Sequence, residues 1–530
     1  MLSNDAFSIP LLRRSISLQS VAIFLLLVGF AVRLILILRP IDDLILLALY
    51  DDAFYYYKVA QNILAGHGAS FDGINLTNGF HPLWMLFSLS SFAALSGGGG
   101  DLPIYALLLI GAVIDTLTGL VVCKIVYDLS NKAGAALLVL AIWSLHSRLV
   151  FTAINGMETT INAFLIALSV FLLLRLDMKR PTTRAYLLTG TIWGLTLLAR
   201  TDNIILMAIL FGGLVLRRHR SIQILAIATT VMVLVLPWIV WNVVTFGTVI
   251  QVSGLAKPLV IRTEFMLQHE GNSVLPALIM RMTSMLIGTA IRLYTLLPIR
   301  AFWVDGLWLL ATSGFGIWLW HSSRINIREH LRARVWFAVL ICVAWAVTFI
   351  SAHVLLRWEL RPYYMYSIAP TAEVIIGLFI AFLLNRAQTR NDRFVLYVLG
   401  GIFLILALIA NIDFVKRPHL DHQREILKAA YWLRDHTQPN AIVGSFNAGI
   451  IGYRSNRQVI NLDGVVNNAA YYAIAKKSVA EYVARSRIQY LADFVYNGPD
   501  DLFSAYYWQI KPGYQVVYQN DMSGYDPRYF

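Results

Sequence analysis

The sequence predicts an α-helical polytopic membrane protein that carries a small α/β domain at its C-terminal end. Three observations lead to this fold class. The 530 residues are 58% hydrophobic and 14% charged, with a mean hydropathy of +0.64, which leaves too little polar surface for a soluble globule. Apolar runs of about 20 residues, the length that crosses a bilayer, recur up to residue 412. Beyond that point proline, asparagine, aspartate and charged residues return.

The excess of basic residues does not indicate a nucleic-acid partner. The formal net charge is +13, but lysine and arginine occur in short clusters between apolar runs, which is typical of cytoplasmic loops. Cys123 and Cys342 both fall inside apolar runs and predict no disulfide framework. The composition therefore indicates membrane lipids, and not nucleic acid, as the surroundings of this chain.

The side of the membrane on which each loop lies depends on the apolar stretch 82–96. Arg13 and Arg14 place the N-terminus in the cytoplasm, so the first span, 20–39, leads to an external loop over 40–101. If 82–96 crossed the bilayer, three arginine-rich turns would lie outside, although such turns normally stay inside. We therefore predict a short juxtamembrane helix at 82–96. The turns that decide this choice are 179–184, 217–220 and 386–393.

This topology predicts a transmembrane domain over 1–412 with about eleven spans. A second, long external loop covers 245–302, and the last span leads to an extracytoplasmic α/β domain over 413–530. The later spans are predicted at 102–127, 133–153, 159–177, 185–199, 203–217, 222–244, 303–321, 335–356, 365–385 and 394–412. In the last domain, periodicity predicts helices at 421–436 and 478–487 and strands at 441–446, 458–462 and 489–494.

Two polar segments of the last domain, 446–452 and 461–464, are predicted as loops at the ends of strands. Their glycine and asparagine content favours simple turns. Contacts with an acceptor glycan are the alternative.

The stretch from Asp51 to Trp84 is too polar to cross a bilayer, yet it lies between apolar segments. It predicts a helix that ends at Gly66 and Gly68, then a polar loop, and then a new helix opened by Pro82. We expect the first helix to lie at the membrane interface with two opposite stripes. The apolar stripe is Ala53, Tyr56, Tyr57, Ala60, Ile63 and Leu64, and the polar stripe is Asp51, Tyr55, Lys58 and Asn62.

Acidic and basic residues of the predicted external loops fall on one side of the membrane. Ionisable groups beside apolar spans are costly to keep without a partner or a role. This mixture suits a site that binds an anionic lipid headgroup and removes a proton from a hydroxyl. The candidate site residues are Asp51, Asp52, His81, Glu158, Arg200, Asp202, Lys257, Arg357 and Arg361.

The same candidates also have structural interpretations. The three acidic residues that begin predicted helices are suited to capping them. Arg200 and Asp202 are close enough in sequence to pair only with each other, and Lys257 is suited to reach lipid headgroups. The arginines at 357 and 361 lie one helical turn apart, which suits either a phosphate clamp or a salt bridge with Glu359. A second acidic pair at 42–43 also stays open as the working pair.

The first loop resembles that of the GT-C glycosyltransferases, multi-span enzymes that take a sugar from a polyprenyl-phosphate lipid. The acidic pair at 51–52 resembles the pair that begins their first external loop, although many relatives have Asp-Glu there. His81 and Pro82 resemble the His-Pro-Pro or Lys-Pro-Pro of protein O-mannosyltransferases and lipid A aminoarabinose transferases, with one proline instead of two. A further resemblance to cell-wall arabinofuranosyltransferases lies in the spacing of Asn62, Leu64, Ala65, Gly66, Gly68 and Phe71.

The resemblance implies an inverting transfer in which Asp51 is the base and His81 contacts the donor phosphate. Reasoning from the residues adds Asp52 as the group that orients the base, and Lys257 with an arginine as further phosphate contacts. The predicted function is therefore an integral-membrane glycosyltransferase that moves a sugar from a polyprenyl-phosphate donor to a hydroxyl of a cell-envelope glycan, lipid or protein, on the extracytoplasmic side. The alternative is a lipid-linked sugar flippase or transporter, which predicts ionisable residues buried in mid-span and inverted repeats.

No cofactor or metal site is predicted. Displacement of a phosphate requires neutralised charge more than it requires a metal. A pyrophosphate donor would instead favour a divalent cation held by Asp51 and Glu158. The sequence contains neither a Walker A motif nor a Cys/His zinc pattern.

Overall fold

The computed structural model describes residues 17–98, 100–176, 181–259, 329–356, 361–386 and 422–493, with single positions between 401 and 420 and at 515 and 517. This part of the chain forms a bundle of helices followed by a small parallel sheet. The predicted span 303–321 lies outside the described residues, as do most of span 394–412 and most of the long loop 245–302.

The other predicted spans coincide with helices of the bundle. In chain order the helices are α1 (Leu18–Ile37), α2 (Ile41–Leu47), α3 (Asp51–Leu64), α4 (Pro82–Leu95), α5 (Leu102–Ser130), α6 (Ala133–Leu145), α7 (Ser147–Ala153), α8 (Thr159–Leu176), α9 (Thr183–Ala199), α10 (Ile204–Leu216), α11 (Ser221–Phe246), α12 (Glu329–Leu355) and α13 (Ala369–Arg386). Among the described residues, 5 helices are long and apolar enough to cross a membrane, or 6 if the bent pair α6 and α7 forms one span. The chain is therefore a multi-pass membrane protein.

The C-terminal unit, defined here as residues 422–493, contains a three-stranded parallel sheet with the strand order β2-β1-β3. Its elements are α14 (His422–His436), β1 (Ile442–Ser445), α15 (Ala448–Arg454), β2 (Gln458–Asn461), α16 (Asn468–Ala475), α17 (Val479–Arg485) and β3 (Tyr490–Leu491). The predicted α/β character is confirmed. The predicted loop at 446–452 is wrong from Ala448 onward, because α15 begins there and buries Ile450 and Ile451.

The first loop contains the elements that its turn residues predict. The helix α3 ends at Leu64, and Gly66 and Gly68 follow with φ of +85° and +73°, a conformation that glycine adopts without strain. Pro82 opens α4, which has 14 residues and is thus about 21 Å long. The hydrocarbon core of a bilayer is about 30 Å thick, so the prediction of a short helix at 82–96 is confirmed.

The helix α3 does not have the exposed polar face that the sequence predicts. Residues of both predicted stripes are buried, including Tyr55 on the polar stripe, whereas Leu64 on the apolar stripe is 47% exposed. The reason is that α15 of the C-terminal unit packs against α3, with Tyr453 touching the ring of Phe54 at 5.4 Å between centroids. The periodicity of one segment does not show that residues far along the chain pack over it.

One ion pair is buried inside the bundle and joins α1 to α5. Arg33 Nη2 lies 2.6 Å from Asp115 Oδ2, and both side chains are almost completely buried. Arg33 also donates to the carbonyl oxygens of Trp143 and Ser144, while Asp115 accepts from the hydroxyl of Tyr366. A buried charge pair persists only when such additional hydrogen bonds satisfy it.

Candidate active site

Loops from distant parts of the chain meet at one end of the helical bundle. They are the start of α3, the N-terminus of α4, the turns that precede α8 and α10, the segment 251–259 and the 3₁₀ helix Pro362–Ser367. Hydrogen bonds and ion pairs between these loops hold them together, and the C-terminal unit covers the start of α3. Most of the candidate site residues are therefore neighbours.

The centre of this region is a buried charge cluster around Arg200. Its Nη1 lies 2.6 Å from Glu158 Oε1, and its Nε and Nη2 donate to the Asp202 carboxylate at 3.1 and 2.8 Å. The guanidinium also lies 4.5 Å from the ring centroid of Tyr364. Arg200 thus pairs with both carboxylates, and not with Asp202 alone. Because these contacts engage its donors, Arg200 orients the two carboxylates and is not placed to bind a phosphate.

The cluster extends to His353 on α12. His353 Nε2 lies 3.5 Å from Asp202 Oδ2, and its Nδ1 lies 2.9 Å from the carbonyl oxygen of Phe349. Burial raises the pKa of Asp202, but Arg200 and His353 outweigh burial and hold this pKa well below its usual range. Asp202 therefore stays ionised. The cluster contains two carboxylates, Glu158 and Asp202, and one guanidinium, that of Arg200.

His81 is held at the edge of the same cluster. Its Nε2 lies 3.6 Å from Glu158 Oε1, and its Nδ1 lies 3.2 Å from the amide nitrogen of Gln251. The hydroxyl of Tyr56 donates to Glu158 and accepts from the His81 backbone N–H, so it ties the two residues together. Burial lowers the pKa of His81, while Glu158 raises it and Arg200 lowers it further. The imidazole is accordingly neutral near neutral pH and can gain a proton when an anion binds.

Asp52 is oriented by a tyrosine. The Tyr363 hydroxyl donates to Asp52 Oδ2 at 2.7 Å, and the ring of Tyr363 packs against Tyr50 and Tyr364. Burial and the nearby Asp52 raise the pKa of Tyr363 well above its usual range, so this hydroxyl remains a donor. Asp52 is half-buried, and Tyr364 links it to the Arg200 cluster.

Asp51 faces the C-terminal unit. Its Oδ1 accepts the N–H of Ile450 at 2.7 Å and its Oδ2 accepts the N–H of Gly449 at 3.1 Å, while its own N–H donates to Gln423. Burial raises the pKa of Asp51 to about 7, against the lowering effect of the Ile450 N–H. Asp51 therefore caps a helix, but the capped helix is α15 and not its own.

The remaining candidates lie around this region or outside the described residues. Burial raises the pKa of Tyr364, and Lys257 is close enough to oppose this rise in part. Arg361 is an exposed residue that precedes the 3₁₀ helix. Arg357 lies outside the described residues. Asp42 accepts hydrogen bonds from Tyr431 and Arg454 of the C-terminal unit, and Asp43 is exposed.

Several residues of the site were not found by sequence reasoning. Three of them were signalled by clusters of tyrosine, at 55–57 and 363–366, which are unusual beside apolar spans. Buried amide and imidazole groups gave no such signal, because their partners come from distant segments. The missed residues are Tyr56, Asn78, Gln251, His353, Tyr363 and Tyr364.

The fold is that of a known class of membrane protein. The Archaeoglobus fulgidus oligosaccharyltransferase, crystallised with Zn and sulfate, is similar to 89% of this chain over 67% of its own, at 14% identity and a TM-score of 0.52. ArnT from Cupriavidus metallidurans, bound to undecaprenyl phosphate, is similar to 86% of this chain over 88% of its own, at 13% identity and a TM-score of 0.52. Both belong to the GT-C superfamily, and the present chain has the GT-C fold.

The C-terminal part of the chain is similar to one sequence family. Residues 412–529 match a family described as a domain of unknown function, DUF8728. No curated protein matches the chain in sequence.

A metal of the kind present in the archaeal neighbour was tested against the described residues. Within those ranges no three His, Cys, Asp or Glu side chains converge to hold an ion. Asp51 and Glu158 also face different partners, α15 and Arg200 respectively, so they do not fit one shared cation.

Proposed function

We propose that this protein is an inverting glycosyltransferase that moves a sugar from a polyprenyl-phosphate donor to a hydroxyl acceptor on the extracytoplasmic side. The observation that carries the proposal is the meeting of Asp52, His81 and the buried Arg200 cluster at one end of a GT-C bundle. The neighbour that binds undecaprenyl phosphate supports a lipid-phosphate donor. The acceptor is a cell-envelope glycan, lipid or protein.

Asp52 is the base in this proposal. The acceptor hydroxyl gives its proton to the Asp52 carboxylate, and its oxygen forms a bond to the anomeric carbon of the donor sugar. The bond between that carbon and the phosphate oxygen breaks, and its electron pair leaves with the lipid phosphate. Attack from the face opposite the phosphate inverts the anomeric configuration. Tyr363 holds the carboxylate in place without protonating it.

The exchange of roles between the two aspartates follows from their partners. The sequence resemblance implied Asp51 as the base, but both of its carboxylate oxygens accept backbone N–H groups of α15. The Asp52 carboxylate has one side-chain donor and lies beside the tyrosines that lead to Arg200. Asp51 is therefore proposed to position the C-terminal unit over the site.

The phosphate is proposed to lie between His81, Lys257 and Arg361. Developing negative charge on a leaving phosphate is stabilised most by preorganised donors and cations. The Arg200 cluster carries an excess carboxylate, so the cations that neutralise the phosphate must come from outside it. His81 can gain its proton as the phosphate binds, because Glu158 stabilises the imidazolium.

The decisive experiment is transfer by the purified protein in proteoliposomes. The donors are radiolabelled polyprenyl-phosphate mannose, glucose and arabinofuranose, and the acceptor is a cell-envelope extract. Asp52→Asn is expected to reduce turnover by about 10²- to 10⁴-fold, the usual contribution of a general base. Asp43→Asn, which changes an exposed carboxylate on α2, is the matched control and is expected to retain wild-type turnover.

Two results would contradict the proposal. One is full turnover by Asp52→Asn. The other is movement of intact donor lipid to the opposite leaflet without transfer, which is the result expected for a flippase.

A further inference from the structure

The loop that follows β2 in the C-terminal unit is fixed to the first loop close to His81. Asn468 Nδ2 donates to Asn78 Oδ1 at 3.2 Å, and the Asn78 N–H donates to Asn468 Oδ1 at 3.4 Å. The carbonyl oxygen of Val465 lies so near Gly79 that a Cβ at this glycine would approach it to 1.9 Å. This backbone contact leaves the loop little room to move relative to His81.

Asp463 lies at the start of this loop, two residues before the Val465 contact with Gly79. The Val465 N–H donates to Asp463 Oδ1 at 2.9 Å and so orients the carboxyl group. Burial raises the pKa of Asp463, Lys257 lowers it and Asp52 raises it, so the carboxyl group lies within electrostatic reach of both residues. Burial raises the pKa of Tyr55 on α3, and Asp463 raises it further.

A carboxylate at this place is unsuited to a phosphate, because the two anions repel each other. It is well suited to a sugar hydroxyl, which donates a strong hydrogen bond to a charged acceptor. The surroundings of Asp463 thus match the carbohydrate part of a donor or acceptor and not the lipid phosphate.

A second observation independently indicates a ligand with hydroxyl groups. Gln251 is 3% exposed, and one end of its amide lies 3.2 Å from His81 Nδ1. The other end, although buried, has no hydrogen-bond partner among the described residues. A sugar hydroxyl satisfies this end whichever way the amide is turned, because a hydroxyl both donates and accepts.

We propose that Asp463 of the C-terminal unit is a specificity-determining residue that binds a hydroxyl of the sugar being transferred. This inference rests on the proposed function and adds to it a contribution from the C-terminal unit. Asp463 takes no part in the proton transfer. It selects the sugar by accepting a hydrogen bond that only a correctly placed hydroxyl can donate.

The test compares Asp463→Asn with the wild type on polyprenyl-phosphate mannose, glucose and arabinofuranose, and on deoxy forms of the best donor. Loss of a charge-assisted hydrogen bond is expected to reduce kcat/KM about 10- to 100-fold for the full sugar. For the deoxy donor that lacks the bound hydroxyl, the variant and the wild type are expected to perform equally. Asp435→Asn, an exposed carboxylate on α14, is the matched control and is expected to behave as the wild type.

The outcomes separate this inference from the proposed function. If the wild type transfers none of the sugars, the proposed function fails. If the wild type transfers and Asp463→Asn matches it on every donor, this inference alone is overturned. An equal loss on every donor, the deoxy forms included, would also overturn it, since a merely structural role lowers all rates alike.

Discussion

At the scale of single residues, Arg200 decides the electrostatics of the site. It is one buried cation between two buried carboxylates, and it also packs on the Tyr364 ring. Its planar guanidinium pairs with both carboxylates through donors in a fixed fork, a geometry that the point charge of a lysine does not provide. Removing it leaves Glu158 and Asp202 without their shared partner.

We therefore expect Arg200→Met to destabilise the protein by about 3–5 kcal/mol, the usual result of breaking one side of a buried pair. Thermal unfolding in detergent measures this as a lower apparent Tm. Adding Asp202→Asn is expected to recover part of the loss, because one uncompensated charge disappears. Arg434→Met, in an exposed pair on α14, is the control and should leave the Tm unchanged. An unchanged Tm in Arg200→Met would show that the cluster is solvated.

At the scale of elements, α3 and α15 form one packed unit although about 400 residues of sequence separate them. Phe54, Tyr57 and Val59 of α3 belong to the same core as Ile450 and Ile451 of α15. The side chain of Gln423 further ties α14 to the carbonyl oxygens of Ile45 and Leu49, at the end of α2 and just after it. The first loop and the C-terminal unit therefore share one hydrophobic core.

Gly449 makes this packing possible, because a Cβ there would lie 2.1 Å from the carbonyl oxygen of Asp51. We expect Gly449→Ala to separate the two backbones and to weaken docking by about 1–3 kcal/mol, as overpacking does. Limited proteolysis should then cut the C-terminal unit faster than in the wild type. Gly212→Ala on α10, where nothing lies within 4 Å of the added methyl, is the matched control. Equal cleavage of both variants would contradict this account of docking.

At the scale of the whole molecule, the proposed chemistry requires the site and the arginine-rich turns to lie on opposite sides of the membrane. The C-terminal unit touches the first loop through Asp42, Asp51 and Asn78, so these two parts share a side. The positive-inside rule predicts that this side lies outside the cytoplasm.

Single cysteines in a background without Cys123 and Cys342 test this orientation. Asp43→Cys in the first loop and Lys476→Cys in the C-terminal unit are expected to react with a membrane-impermeant maleimide on intact cells. Arg184 lies near the start of α9, in the turn 179–184 that is predicted to face the cytoplasm. Arg184→Cys is therefore expected to react only after lysis. The reverse labelling pattern would place the site in the cytoplasm.

The local prediction succeeded where one segment contains all the information that it needs. The bounds of α3, the opening of α4 at Pro82 and the three strands of the C-terminal unit follow from caps, glycines and periodicity. The predictions of an exposed polar face on α3 and of a loop at 448–452 failed for one common reason. Each of these segments buries a face against the other, and no local pattern shows a partner so far along the chain.

The sequence by itself determined that this is a membrane protein and indicated its likeness to the GT-C glycosyltransferases, because hydropathy and the residues at 51–84 are local properties. Only the tertiary structure decided which partner each charged residue has. Arg200 pairs with two carboxylates, Asp51 accepts backbone N–H groups of α15, and Asp52 accepts the hydroxyl of Tyr363. The physical reason is that the role of an ionisable group depends on its burial and on its hydrogen-bond partners. Both are set by contacts between segments that are distant in the chain.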